Sequence, residues 1–246
     1  MAEQFGKPFL SAEWRYLAML NYEIDPAVLA PFVPRGTELD SWQGKTFVSM
    51  VGFLFENTRV MGVPIPLHQN FEEINLRFYV RRKAEEGWRR GVVFVKEIVP
   101  RAAIALLARW LYNENYIALP TGNAICRADD GTKNIESVKY YWIFNQRAQF
   151  IEIVTRGAPT PLIKDSQAEF IAQHYWGYSS QRNGGTAEYR VEHPPWRIWQ
   201  AKSARLDCAV ENLYGERFGR FLQGQPSSSF LAEGSEIVVY RGMKLG

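Results

Sequence analysis

Residues 46–55 read TFVSMVGFLF, and they are apolar on both faces of any strand they form. Successive side chains on a strand point to opposite faces, so a strand with one wet face alternates apolar and polar. This one does not alternate, so it belongs to a sheet that is packed or closed on both sides. Gly91 to Val99, GVVFVKEIV, repeats the pattern apart from Lys96 and Glu97. Between the two, Ile74, Leu76, Phe78 and Val80 alternate with Asn75, Arg77, Tyr79 and Arg81, and Ala84-Glu85-Glu86-Gly87 makes a turn. Neighbouring strands buried on both sides point to a barrel or a strongly curled sheet.

Moving outward, Trp14, Tyr16, Ala18, Leu20, Tyr22 and Ile24 are expected on one face of a first strand. Asp25-Pro26 reads as an N-cap and first helical position for a short helix over Ala27 to Phe32. Glu38–Trp42 and Lys45–Glu56 read as a hairpin around Gln43-Gly44. Downstream, Pro100 opens the clearest helix, RAAIALLARWLYNEN, with Tyr112 and Tyr116 at its end. Two strands flank Asp129-Asp130-Gly131, and Val138–Phe144 and Phe150–Val154 are strongly β. Ser166 and Glu169 have capping-box spacing, and Asn183-Gly184-Gly185 turns a hairpin between Tyr175–Ser180 and Thr186–Glu192. His193-Pro194-Pro195-Trp196 breaks that strand, and Glu236–Tyr240 closes the chain. The fold class is α+β, mainly antiparallel, with a few packed helices.

Bulk properties narrow the function. The 246 residues carry 29 Lys and Arg against 26 Asp and Glu, a net +3, with 46% hydrophobic and 22% charged residues. These values are those of a globular protein, expected as a single domain over residues 1–246. The longest fully apolar run, Ala102 to Ala108, is too short to cross a bilayer, and the start lacks a secretion signal. A soluble, cytoplasmic protein with no membrane partner is expected. Cys126 and Cys208 are far apart and read as two buried thiols. His68, His174 and His193 form no metal-ligand cluster, so no metal is expected. No P-loop, no G-x-G-x-x-G and no G-x-S-x-G is present, so no nucleotide cofactor and no nucleophile elbow are expected.

The candidate chemistry sits on few residues. On a closed sheet the Asn75–Arg77–Tyr79 face lines the interior, where Arg77 can clamp a carboxylate and Glu73 can act as a general acid or base. The ordinary alternative is a polar face meeting water. Lys96 and Glu97 point to opposite faces and cannot share a site, and Lys96 is expected to snorkel or pair at an edge. Arg81, Arg82, Lys83, Arg89 and Arg90 surround Trp88 at a hairpin tip. That is a nucleic-acid signature weakened by Glu85 and Glu86, so a solvated tip and no nucleic-acid partner are expected. Tyr112 and Tyr116 either offer hydroxyls to a pocket or pack. His174 is expected in a helix's last turn, where a protonated ring suits the dipole, as a capping or packing residue rather than a catalytic one.

The segment 9–55, with NFEEINLRFYVRR, RGVVFVKEIVPRAAIALLARWLYNENY and the later HPPW, resembles the YqjF-like uncharacterised family. The likeness covers Phe9 to Tyr240. That family is grouped with the acetoacetate decarboxylase-like superfamily, which implies a curled, cone-like β-barrel around a small-molecule cavity. Acetoacetate decarboxylases carry a Lys-Lys pair just after the helix corresponding to Ala102–Tyr112, one lysine of which forms a Schiff base. Here that stretch, Asn113 to Leu119, has no lysine, so that chemistry is not available. The resemblance implies that Glu73 corresponds to the superfamily's pocket glutamate and Arg15 to an N-terminal pocket arginine.

The reading is therefore a protein that binds a small organic acid or carbonyl compound, with ligand contacts from Arg15, Arg77, Tyr79 and Tyr112. Its first alternative is an enzyme using Glu73 and Tyr116 for general acid–base catalysis. Its second is an oligomeric interaction protein. A homo-oligomer is left open.

Overall fold

The computed structural model describes residues 8–100, 115–129, 131–132 and 134–245. Its strands are β1 (Pro8–Ile24), β2 (Glu38–Leu39), β3 (Thr46–Val60), β4 (Val63–Pro64), β5 (Phe71–Ala84), β6 (Gly87–Val99), β7 (Tyr116–Ala118), β8 (Thr121–Arg127), β9 (Ile135–Phe144) and β10 (Arg147–Pro161). They continue with β11 (Trp176–Ser180), β12 (Thr186–Glu192), β13 (Arg197–Asp207), β14 (Ser228–Tyr240) and β15 (Met243–Leu245). Among the described residues four short α-helices, α1 (Pro26–Leu29), α2 (Gln167–Ala172), α3 (Val210–Tyr214) and α4 (Glu216–Leu222), and a 3-10 turn at Ala30–Phe32 accompany them. The predicted helix over 101–115 lies almost wholly outside the described residues.

Hydrogen bonding runs in the order β12-β11-β6-β5-β3-β1-β14, and β12 pairs again with β14 at Val191↔Val239 and Glu192↔Val238. That pairing closes a ring of seven strands. From β14 the sheet also continues outward through β13, β10, β9 and β8, and this arm folds back over the outside of the ring. β1, β3 and β5 are thus covered on both faces. Their outer residues Ala18, Leu20, Met50, Leu76 and Phe78 pack with Tyr140, Trp142, Ile151 and Ile153 of the arm and with Leu213 and Phe218 of α3 and α4. Their inner residues Leu17, Met19, Val51 and Phe53 pack with Phe170, Ile171, Trp196 and Phe230.

Irregular backbone departs from simple alternation in β1. Tyr16 has φ 53°, and the β1–β3 register shifts between Arg15 and Ala18. The extra residue is a β-bulge, which resets which face each side chain takes. Trp14 therefore sits on the inner face while Ala18, Leu20, Tyr22 and Ile24 sit on the outer one, so the expected common face is split. Opposite the bulge stands Gly234, with φ 81°. A Cβ placed there would lie 1.9 Å from the Trp14 carbonyl oxygen, so only glycine permits this approach. The Tyr140 hydroxyl donates to the Tyr16 carbonyl at 2.8 Å, tying the outer arm to the bulge.

Local signals hold at most termini. Asp25 caps α1, accepting from the Ala27 amide at 2.9 Å. Ser166 accepts from the Glu169 amide at 3.2 Å, but Glu169 reaches back to the Asp165 amide rather than to that of Ser166. The Gln43-Gly44 turn forms between Trp42 and Lys45, but Glu38 and Leu39 pair with Arg81 and Val80 of β5, not with β3. Tyr116 begins β7, a strand parallel to β6, rather than ending a helix. Cys126 is exposed on β8 and Cys208 half-buried, so the expectation of two buried thiols is corrected. No helix among the described residues is long and apolar enough to cross a membrane.

The hairpin tip is resolved by ion pairing. Arg82 and Arg89 both bond Glu188, whose side chain is fully buried, Arg90 bonds Asp40, and Arg81 bonds Glu38. These carboxylates neutralise four of the five cations locally, with Glu188 and Asp40 buried and the Arg81–Glu38 pair exposed.

Replacing Gly234 by Ala is expected to lower stability by at least about 2 kcal/mol, since it adds left-handed strain to a backbone clash. Equilibrium urea unfolding of the two proteins measures this, and an unchanged midpoint would contradict the packing described.

Candidate functional site

The ring encloses a cavity of about 150 Å³, and all seven ring strands contribute to its wall. On β5, Glu73 and Arg77 share the inner face with Asn75 between them, and they are only 4% and 8% exposed. Phe71 precedes them on the same face, so the β5 ladder sets an order along the cavity: Phe71, then Glu73, then Arg77.

β6 supplies the adjoining wall through a second bulge. Its pairing with β5 skips from Leu76↔Lys96 to Arg77↔Phe94, which leaves Val95 as the extra residue. The bulge lets Phe94 and Glu97 both face the cavity while Lys96 points outward. The Lys96 ammonium donates to the Leu213 carbonyl and lies 5.9 Å from the Tyr214 ring centre. No lysine lines the cavity among the described residues.

Glu73 accepts from Asn75 Nδ2 at 3.0 Å and is hydrogen-bonded to the Tyr116 hydroxyl. Burial raises its pKa to about 7, outweighing the opposing pull of those bonds and of the Arg77 charge. Arg77 is differently placed. Its terminal nitrogen lies 3.8 Å from Met19 Sδ, and its Nε is buried with no hydrogen-bond partner. Among the described residues no carboxylate forms an ion pair with it. A buried guanidinium in that setting is short of acceptors, and bidentate binding of an anion would satisfy it.

Two histidines complete the polar wall. His174 lies just beyond α2, 8% exposed, with its ring centre 4.7 Å from that of Tyr79. Burial, with the Arg90 and Arg77 charges, holds its pKa well below the usual imidazole value, so it is neutral near pH 7. Of the capping and packing roles expected for His174, the structure shows packing, against Tyr79 and Phe170. His193 is also lowered by burial, and its Nδ1 lies 2.9 Å from the Pro194 carbonyl oxygen. It stacks on Trp196 with ring centres 4.1 Å apart.

Of the residues singled out from sequence, Glu73, Arg77 and Tyr116 meet in the cavity wall. Tyr79 stands behind it, its hydroxyl 2.6 Å from Ser49 Oγ, which in turn donates to Asn21. Arg15 does not reach the cavity. The Tyr16 bulge turns it outward beside Arg127 and Glu233, and Glu13 holds it in an ion pair. Tyr112 lies outside the described residues. Sequence reasoning did not place Glu97, His174, His193, Trp14 or Trp196 in the site. The HPPW segment was visible as a strand breaker, but not as a wall, because the ring closure that brings it to β5 is a long-range event.

Comparison with known proteins follows this geometry. The family described as "Uncharacterized conserved protein", DUF2071, matches residues 11–236. The "Uncharacterized protein YqjF" of Bacillus subtilis is 26% identical over 203 residues, covering 82% of this chain and 80% of that protein. Among solved structures, the enduracididine biosynthesis enzyme MppR complexed with pyruvate superposes with a TM-score of 0.68 at 12% identity, covering 99% of this chain and 93% of that one. Acetoacetate decarboxylase from Legionella pneumophila superposes with a TM-score of 0.64 at 12% identity, covering 98% and 88%. The acetoacetate decarboxylase-like fold is thus shown.

Glu73 makes a pH signature. Its folded pKa is raised from 4.5 to about 7, so the folded state holds its proton longer than the unfolded chain does. Stability from this group is full below pH 4.5 and is lost as pH rises toward 7, by about 3 kcal/mol. His174 and His193 act oppositely, because their lowered values cost stability as pH falls below 6.5. The difference in unfolding free energy between the wild type and Glu73→Gln isolates the first effect. That difference is expected to fall across pH 4.5 to 7, and a pH-independent difference would show that Glu73 is not desolvated.

Proposed function

The chain belongs to the DUF2071 family of uncharacterized conserved proteins, and we propose that it binds a small organic acid or carbonyl compound in the ring cavity, without Schiff-base chemistry. The observation that carries this reading is Arg77: a buried guanidinium with an unpartnered Nε, facing an apolar hollow. An anion entering there loses hydration but gains a fork of charge-assisted donors. Glu73 beside it is protonated for about half of the molecules near pH 7, so it does not repel the anion as a full carboxylate would. A solved neighbour of the same fold is complexed with pyruvate, which supports a ligand of this class. The hollow interior favours a ligand-binding reading over an interaction protein with a solid barrel.

Glu73 also supports a second reading, general acid–base catalysis on the bound compound. Its raised pKa suits proton transfer near neutrality, and the Tyr116 hydroxyl is placed to steady charge on the same carboxyl. Turnover lost in Glu73→Gln with folding intact would favour it.

Pyruvate is expected to raise the melting temperature of the wild type and to leave Arg77→Met unchanged, with affinity reduced about 30-fold or more when the guanidinium is lost. Equal shifts in both proteins would refute the Arg77 reading. Borohydride treatment with pyruvate is expected to leave the intact mass unchanged, and a trapped adduct would refute the exclusion of Schiff-base chemistry.

A further inference from the structure

Nine of the nineteen residues that line the cavity are Phe, Tyr or Trp, and they are not spread evenly. The polar groups Arg77 and His174 stand at one end. Glu73 and Tyr116 stand in the middle. The far end, at the level of Phe71, is built of rings. There Phe55 and Phe71 are stacked with centres 4.7 Å apart, and Trp14 meets Phe55 edge-on at 5.9 Å. Trp196 closes the wall, edge-on to Trp14 at 6.3 Å and backed by His193. Ser235 fixes the Trp196 indole by accepting from its Nε1 at 2.9 Å, so this wall is rigid.

One polar atom at the aromatic end is unsatisfied. Trp14 Nε1 is buried and has no hydrogen-bond partner. A buried N–H without a partner costs free energy that an acceptor on a ligand would recover. The cavity therefore asks for three things in order: an anion at Arg77, an acceptor beside Glu73 and Tyr116, and a flat π-system with an acceptor near Trp14.

We propose that the ligand is an aromatic 2-oxo acid, an aryl-substituted relative of pyruvate. Its carboxylate would sit on Arg77, its 2-oxo group beside Glu73 and Tyr116, and its ring against the wall that Trp14 and Trp196 form together. Edge-to-face contacts with those indoles favour an aromatic ring over a saturated one of the same size. This inference rests on the small-acid reading above and adds the ring to it.

The experiment titrates phenylpyruvate, 3-cyclohexylpyruvate and pyruvate into the full chain, read by calorimetry and by tryptophan fluorescence. Phenylpyruvate is expected to bind at least tenfold more tightly than either of the others. Trp196→Leu is expected to erase the preference for phenylpyruvate over 3-cyclohexylpyruvate. Trp14→Phe, which keeps a ring and removes the N–H, is expected to fold as the wild type does. In a parallel titration of 4-hydroxyphenylpyruvate, this variant is expected to lose more affinity than it does for phenylpyruvate, and an equal loss would overturn the role of the Trp14 N–H. Pyruvate binding as tightly as phenylpyruvate, or 3-cyclohexylpyruvate matching it, would overturn the aromatic inference while leaving the acid site standing. Binding of none of the three would overturn both.

Discussion

Burial of β1, β3 and β5 on both faces is the constraint from which the rest of the structure follows. A strand covered on one side only can shed charge to solvent at every second position, whereas these strands cannot. The outer face is covered by β9, β10 and the helices α3 and α4, packed side chain to side chain. The inner face is covered by closure of the ring through β12 and β14. Closure leaves a volume that the inward side chains must share, and large rings that cannot interdigitate fully leave it hollow. The cavity is the residue of that packing problem, walled by the same aromatics that stabilise the ring.

Polar groups admitted to such an interior take on unusual properties. Glu73 is driven toward its neutral form because water is replaced by Phe, Val and Trp, and neighbouring donors only partly offset this. His174 is driven neutral for the same reason and is further discouraged from protonation by Arg77 and Arg90. Arg77 cannot shed its charge, so it stays as the fixed cation of the cavity. Elsewhere the protein treats buried charge differently. Glu188, equally buried, is held by both Arg82 and Arg89 and has no role in the cavity. The contrast separates a structural ion cluster from a guanidinium left open to a ligand.

Two bulges decide what the cavity contains. At Tyr16 one extra residue sends Trp14 inward and Arg15 outward. At Val95 another lets Phe94 and Glu97 both face in while Lys96 faces out to Leu213. A one-residue slip on a strand exchanges the faces of everything beyond it. The first slip removed an expected arginine from the cavity and left Trp14 in its wall, and the second put Phe94 and Glu97 there in place of Lys96.

What the sequence by itself determined was the class of fold and the strand at the centre of the site. TFVSMVGFLF and GVVFVKEIV exclude a one-sided sheet by composition alone, and the alternation around Glu73, Arg77 and Tyr79 sets them on one face by a period of two. Short-range chemistry was equally legible at Asp25-Pro26, Ser166 and Asn183-Gly184-Gly185, because caps and turns involve residues within four positions of each other. Tertiary structure alone decided the fate of Arg15, the strand at Tyr116, the neutrality of His174 and the cavity position of the HPPW segment. Those outcomes depend on bulges, on ring closure between β12 and β14, and on packing against residues nearly a hundred positions away, none of which leaves a periodic mark in the chain.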